Sequence, residues 1–200
     1  MKSRHLISHI AVSLNADRGY GLGLLLALAV LLLPLLGGEA LQELWRYERS
    51  SMVAGQWWRW GTAHITHLDA GHALLNCTGL ALLWALFARS YRPWQWAVAV
   101  ALILLTIDAG FWFISTQLQW YVGASALLHG AFAAGCVAMI RQQDRLGTVA
   151  IIVLVAKLAW EQLHGPLPLE THHPVVTVSH AYGALGGVLA GMLLRSPRKL

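Results

Sequence analysis

Six apolar runs with few charges follow one another along this 200-residue chain. They cover about residues 21–36, 70–88, 94–113, 125–140, 147–163 and 176–194. A transmembrane helix needs roughly 20 apolar residues, with a range of about 17–25. Charged residues make up only 12% of the chain, whereas a soluble domain carries about a quarter. We therefore predict an all-α membrane protein with six transmembrane helices, in which residues 1–200 form a single membrane domain.

The basic residues indicate how these helices are oriented. With six spans, both termini lie on the same side of the membrane as the second and fourth loops. Ten basic residues lie on that side: Lys2, Arg4, Arg18, Arg89, Arg92, Arg141, Arg145, Arg195, Arg198 and Lys199. The long first loop carries the three on the other side, Arg46, Arg49 and Arg59. Because Lys and Arg are enriched in cytoplasmic loops, we expect both termini in the cytoplasm.

The remaining composition argues against other classes of protein. The net charge of +5 comes from short clusters between the apolar runs, so it indicates membrane topology rather than nucleic acid as a partner. The start of the chain, Met1 to Arg18, is polar and basic, and we therefore expect no cleavable signal peptide before the first run. Cys77 and Cys136 fall at different heights, roughly 10 Å apart. That separation predicts no disulfide between them.

Polar residues of different runs share one depth. Four of them lie 13 to 17 residues from the nearest cytoplasmic arginine: His72, Asn76, Ser125 and His180. At 1.5 Å per residue this places them roughly 20–26 Å above the cytoplasmic boundary. Asp108 and Glu161 fall in the same layer, and His129 and Lys157 about one turn lower. Since ionisable groups inside a membrane are costly and usually functional, the layer predicts a water-accessible cavity open to the outside.

The fourth run is short for a membrane span. Its sixteen residues form a helix of about 24 Å, less than the hydrocarbon core of about 30 Å. If the helix begins at Gly123-Ala124-Ser125, its N-terminus lies below the outer surface. A helix N-terminus offers N–H groups and a positive dipole end, which a developing oxyanion requires.

Ser125 and His180 form a candidate nucleophile and base. A serine hydroxyl needs a neighbouring base to become nucleophilic. Small residues on both helices, including Gly183, Gly187 and Gly191 at intervals of four, allow a close approach of the GxxxG type. His72 and Asn76, also spaced by four, project from one helical face. We predict that they form an oxyanion hole with the Ser125 N–H, and that His129, Gly123 and Tyr182 support the site.

These motifs together resemble the rhomboid family. The stretch WRWGTAHITHLDAGHALLN, residues 58–76, resembles the rhomboid Trp-Arg loop that leads into His-x3-Asn. Gly123-Ala124-Ser125 resembles the Gly-x-Ser nucleophile motif, and His180 with Gly183 and Gly187 resembles the His-x2-Gly-x3-Gly of the sixth helix. The resemblance covers roughly residues 20–195. It implies a six-helix rhomboid-type bundle and a serine endopeptidase that cleaves within the membrane, without cofactor, metal or a third catalytic carboxylate.

Details around the motifs are closer to one bacterial branch, the rhombosortases. They are YVGAS-x3-HG at 121–130, Trp-Glu-Gln at 160–162 and His-Ala-Tyr-Gly at 180–183. This resemblance implies a protease of the bacterial inner membrane, with its active site open to the periplasm. Its substrates would be exported membrane-anchored proteins with a C-terminal Gly-Gly-type sorting tail, in which glycines precede a membrane span and basic residues.

Several residues depart from the family pattern or are open to another interpretation. Ala126 stands where rhomboids usually have Gly, and Ser179 where many have Ala. We do not assign a catalytic role to Asp108 or Glu161, because the resemblance implies no carboxylate as a third member. Lys157 and Glu161, four residues apart, should in addition neutralise each other. His129, one turn below Ser125, is a rival candidate for the base.

Two other functions remain open from the sequence. The ten histidines allow a metal- or haem-binding membrane protein, with ligands from His64, His67 and His72 or from His172 and His173. An inactive rhomboid-like binding protein is the second alternative. The presence of both Ser125 and His180 argues against it.

Overall fold

A computed structural model describes residues 12, 14–166 and 175–195. His172 and His173, proposed above as possible ligands, lie outside the described residues. Helices dominate the described part of the chain: α1 Arg18–Leu32, α2 Gly38–Trp45, α3 Arg49–Val53, α4 Arg59–Thr62, α5 Ala70–Phe87, α6 Pro93–Ala109, α7 Ser125–Arg141, α8 Arg145–His164 and α9 Thr177–Leu193. Three short helical turns, Leu33–Gly37, Ala88–Ser90 and Gly110–Ile114, and two short strands, β1 Tyr47–Glu48 and β2 Trp120–Tyr121, complete the described part of the fold.

Four helical stretches in the described residues are long and apolar enough to cross a membrane: Gly19–Trp45, Ala70–Ser90, Pro93–Ile114 and Arg145–His164. Leucines on these stretches face outward, such as Leu163 with 77% of its surface exposed. Helices α7 and α9 have 17 residues each and are about 26 Å long. Their length alone does not establish that they cross, so six spans and cytoplasmic termini stay predictions.

Helix α9 packs directly against α7 through glycines. A Cβ at Gly183 would collide with the carbonyl oxygen of Ala126, and one at Gly187 with the carbonyl oxygen of Gly130. The two backbones are therefore in contact, which no larger side chain would permit. Helix α9 also contacts α6, where a Cβ at Gly186 would lie 2.8 Å from the Ile103 Cα. This packing fixes the height of α9 relative to the N-terminus of α7.

The long first loop is folded rather than extended. Strand β1 pairs with β2 in antiparallel register, Tyr47 opposite Tyr121. The buried Arg59 guanidinium donates to the carbonyl oxygens of Glu43 at 2.8 Å and Arg46 at 2.7 Å. Arg49 donates to the carbonyl oxygen of Phe111 at 2.8 Å, at the end of α6. The loop thus joins α6 to the segment that precedes α7.

The two cysteines lie in different parts of the helix packing. Cys77 and Cys136 are both buried free thiols. Cys77 packs with Leu31 and Ala124, while Cys136 lies in the fully buried middle of α7. Each acts as a small apolar side chain in helix packing.

Substitution of Gly187 tests the backbone contact between α7 and α9. We expect Gly187→Ala to lower the free energy of unfolding by about 1–3 kcal/mol, because the added methyl group overlaps Gly130. The measurement is thermal unfolding of the purified protein in detergent micelles. Gly19→Ala is the control, since a Cβ there meets nothing within 4 Å, and it should be neutral or slightly stabilising. Equal unfolding temperatures for Gly187→Ala and wild type would contradict the contact.

Burial of His67 predicts an acid-sensitive stability. His67 is 3% exposed, and burial lowers the pKa of its imidazole to about 4, against about 6.5 in an unfolded chain. Between these values the unfolded chain binds more protons, so the free energy of unfolding decreases as the pH falls from about 6.5 towards 4. The contribution is fully present above pH 6.5, and its loss amounts to at most about 3 kcal/mol.

Thermal unfolding between pH 4 and pH 8 measures this effect. His67→Gln cannot titrate and should show a flatter pH profile than wild type. His164→Gln removes an exposed histidine at the end of α8 and should retain the wild-type profile. A wild-type slope in His67→Gln would show that other groups are responsible.

Candidate active site

Ser125 is the first residue of α7, immediately after a constrained turn. Gly123 has a φ of +125°, a backbone conformation that residues with a Cβ rarely adopt. Its N–H donates to the Ala63 carbonyl oxygen at 3.0 Å. Burial raises the pKa of the Tyr121 phenol to about 12, so the protonated phenol donates to the Gly123 carbonyl oxygen at 2.8 Å. The first loop and β2 together fix the serine at the start of the helix.

His180 lies beside the Ser125 hydroxyl. Its Nε2 is 3.0 Å from the Ser125 Oγ, within the range for a nucleophile and its base. The imidazole is 1% exposed, because α9 packs so closely against α7. The structure thus brings together the two residues that the sequence paired by their depth, by the small residues on both helices and by their motifs.

Glu161 contacts the other side of the same imidazole. The Glu161 Oε2 lies 3.0 Å from the His180 Nδ1, and the carboxylate is fully buried. Its second oxygen, Oε1, forms an ion pair with Lys157 one turn earlier on α8. The spacing of Lys157 and Glu161 predicted the ion pair but not the contact with His180. The shared depth of Glu161 and His180 was the available signal.

His129 lies beside the His180 ring rather than on the Ser125 hydroxyl. Its Nδ1 donates to the main-chain carbonyl oxygen of Ser125 at 2.7 Å. Its ring stacks on that of His180, with centroids 4.1 Å apart and planes 13° from parallel. The hydrogen bond to its own helix fixes the His129 ring, while the bond to the Ser125 Oγ comes from His180.

His72 and Asn76 lie next to the turn that precedes Ser125. The Leu68 N–H donates to the His72 Nδ1 at 3.4 Å, so a neutral His72 carries its ring proton on Nε2. A Cβ at Gly123 would lie 3.0 Å from that Nε2. Asn76 is buried and donates to the His72 carbonyl oxygen at 3.1 Å. Both side chains line the same cavity as Ser125.

A cavity of about 1100 Å³ connects these residues. Its lining includes His72, Asn76, Ser125, His129 and His180. Helices α5 and α8, which each pack on α7, supply apolar walls of leucine and valine side chains. The cavity brings polar reactive groups and an apolar surface into one space.

Three other residues that the sequence singled out, Tyr182, Asp108 and Ala126, have contacts of a different kind. The Tyr182 hydroxyl is 2.9 Å from the Ser115 Oγ, and the Tyr182 ring packs on Gly110 at the end of α6. The Asp108 Oδ1 lies 3.0 Å from the His64 Nε2, which ties the first loop to α6. Ala126 is fully buried in the cluster around Phe111, so the fold accommodates its methyl group.

The proposed metal ligands of the first loop do not form a cluster. His64 pairs with Asp108, and the His67 and His72 rings meet edge to face with centroids 5.1 Å apart. A different set, His129, Glu161 and His180, offers three ligand atoms within 4.8 Å of one another. Such a set could hold a metal ion. It would have to compete with the hydrogen bonds that link both imidazoles to Ser125.

Comparison with known proteins identifies the family. A family model of the rhomboid domain matches residues 54–197. No curated protein and no solved structure matches the chain significantly. Membership of the rhomboid family implies an intramembrane serine protease that acts on transmembrane substrates in the lipid bilayer. With four membrane-spanning candidates among the described helices, the chain is a multi-pass membrane protein that belongs to the rhomboid family.

Proposed function

We propose that this rhomboid protein is a serine endopeptidase in which Ser125 is the nucleophile and His180 the general base. The observation that carries the proposal is the distance of 3.0 Å between the Ser125 Oγ and the His180 Nε2. The pair lines a cavity with apolar walls, which suits a substrate segment that enters from the bilayer. His129 is a supporting residue in this proposal, since its ring stacks on the base.

Acylation begins when His180 accepts the Ser125 proton on Nε2. The Ser125 Oγ forms a bond with the scissile carbonyl carbon, and the electron pair of the C=O double bond moves to the oxygen. The collapse of this tetrahedral intermediate breaks the C–N bond, while His180 returns the proton to the leaving amine. Water then attacks the acyl-enzyme by the same route, and the Ser125 hydroxyl is restored.

The oxyanion requires hydrogen-bond donors on the opposite side of the carbonyl from the base. The first N–H groups of α7 have no acceptor within their own helix and sit at the positive end of its dipole. The His72 Nε2–H lies beside Gly123. One N–H of the Asn76 amide donates to the His72 carbonyl oxygen, and its second N–H is a further side-chain donor. Removal of one such donor typically costs about 10²–10³-fold in kcat.

Labelling with a fluorophosphonate tests the nucleophile and the base. We expect the wild-type protein to be labelled covalently, Ser125→Ala not at all, and His180→Ala at least about 100-fold more slowly, because the hydroxyl then lacks its base. Intact-mass spectrometry of the purified proteins gives the extent and rate of labelling.

Two further variants serve as controls for this experiment. Ser115→Ala removes a hydroxyl that bonds Tyr182 rather than His180, and it should be labelled like wild type. His129→Ala should retain labelling if His180 is the base. Labelling of Ser125→Ala would refute the nucleophile, and loss of labelling only in His129→Ala would move the base to His129.

The substrates in this proposal carry a C-terminal Gly-Gly-type tail, as the rhombosortase-like motifs imply. In such a tail, glycines precede a membrane span and basic residues follow it. Basic residues favour the cytoplasmic side, so the glycines lie at the outer end of the span, near the depth counted for Ser125. Glycine has no side chain to obstruct the approach of its carbonyl carbon to a buried hydroxyl.

The distribution of basic residues in this chain supports the proposed location and orientation of the protein. The ten basic residues assigned to one side of the membrane support cytoplasmic termini, which leaves the cavity open to the other side. In a bacterium this is the periplasmic side of the inner membrane. Cleaved proteins would be released there or passed to further processing.

A reporter protein with a tail of this design tests substrate choice and orientation together. The tail contains a Gly-Gly segment, a leucine-rich span and three arginines, and the reporter is exported in bacteria that express the protease. We expect release of the reporter into the periplasm with wild type and none with Ser125→Ala. Replacement of the two glycines by valines should reduce release at least about tenfold, because β-branched side chains restrict the backbone. Equal release from both tails would contradict the glycine preference but not the protease activity.

A further inference from the structure

We infer that Glu161 is a positioning residue of the proposed active site, which holds His180 in the tautomer and orientation that accept the Ser125 proton. The inference rests on the proposed function of Ser125 and His180. It adds a third member, supported by Lys157, to a site for which the rhomboid resemblance implies only two.

The hydrogen bonds of His180 define its tautomer. Its two ring nitrogens have one partner each, the Ser125 Oγ at Nε2 and the Glu161 Oε2 at Nδ1, both at 3.0 Å. An ionised carboxylate only accepts hydrogen bonds. The neutral imidazole must therefore carry its proton on Nδ1, which leaves the Nε2 lone pair directed at the Ser125 hydroxyl.

Lys157 supplies the charge that allows an ionised carboxylate at this depth. The Glu161 carboxylate is fully buried, whereas 22% of the Lys157 side chain is exposed. A buried carboxylate without a countercharge is costly. The ammonium group contacts Oε1, and the imidazole contacts Oε2, so one carboxylate serves both partners without competition for an oxygen.

This arrangement predicts what happens to charge during acylation. The proton of Ser125 moves to the His180 Nε2 while the Nδ1 proton stays between the ring and Glu161. The imidazolium then faces a carboxylate and a stacked His129 ring. Because the positive charge of Lys157 offsets much of the carboxylate's charge, we expect Glu161 to act more by orientation than by charge.

The test is the labelling rate of Glu161→Gln with the same fluorophosphonate over a range of probe concentrations. Glutamine keeps the shape and can still accept the Nδ1 hydrogen bond through its amide oxygen, but a flipped amide would favour the wrong tautomer. We expect the maximal labelling rate to fall on the order of 100-fold, less than the about 10⁴-fold seen when a soluble triad loses its carboxylate. The probe concentration for half-maximal rate should be unchanged.

A second variant separates positioning from stability. Glu161→Gln leaves Lys157 without its carboxylate, which can destabilise the fold. The double variant Lys157→Met with Glu161→Gln removes both charges and should recover thermal stability in detergent, but not the labelling rate. If both stability and rate recover, the role of Glu161 is structural and the inference is wrong.

Two matched controls complete the experiment. Gln162→Ala changes an exposed neighbour on the same turn of α8 and should be labelled at the wild-type rate. Asp108→Asn alters another carboxylate that is 3.0 Å from a histidine, His64, and should lower stability while the maximal rate of the folded protein stays within about twofold. These controls show whether the loss of labelling rate is specific to the Glu161 carboxylate, which contacts His180.

The outcomes distinguish this inference from the proposed function. A wild-type rate in Glu161→Gln, with Ser125→Ala unreactive and His180→Ala at least about 100-fold slower, would overturn the role of Glu161 and leave the protease assignment intact. A Ser125→Ala variant that is still labelled would overturn the protease assignment itself.

Discussion

The backbone contact between α7 and α9 is the constraint on which the rest of the structure depends. Gly183 and Gly187 bring α9 against the carbonyl oxygens of Ala126 and Gly130. Because no side chains separate the two helices, a rotation or shift of either one cannot be absorbed by repacking. The distance between Ser125 and His180 follows from this contact. The proposed chemistry and the stability of the bundle therefore depend on the same few positions.

Much of this arrangement could be predicted from the sequence, because each feature involved leaves a local pattern. Apolar runs gave the approximate helix positions, and α7 begins at Ser125 as the short fourth run indicated. Glycines at intervals of four predicted the close contact of α9. Depth counting placed Ser125 and His180 in one layer, since residue number converts directly to height along a helix.

Other contacts depend on how each helix is rotated about its own axis and on how the loops fold. Neither can be obtained by counting residues along the sequence. The ion pair of Glu161 with Lys157 was expected from their spacing, but the second carboxylate oxygen reaches His180 across the bundle. Likewise, nothing in the sequence predicted that Tyr47 would pair with Tyr121. Asp108, which residue counting put at the same depth as Glu161, instead faces His64 of the first loop. Counting gave both carboxylates one height and could not tell in which direction each one points.

The position of the cavity has a consequence for the order of events in proteolysis. Its two walls each carry part of the proposed machinery: α5 bears His72 and Asn76, and α8 bears Glu161. A substrate that enters by displacing either wall would withdraw the oxyanion donors or the carboxylate from Ser125 and His180. Entry and bond cleavage are then successive steps, with cleavage only after the walls have returned. A slender segment that fits without displacing either helix would react soonest, and selectivity for such a segment would be a matter of timing as much as of affinity.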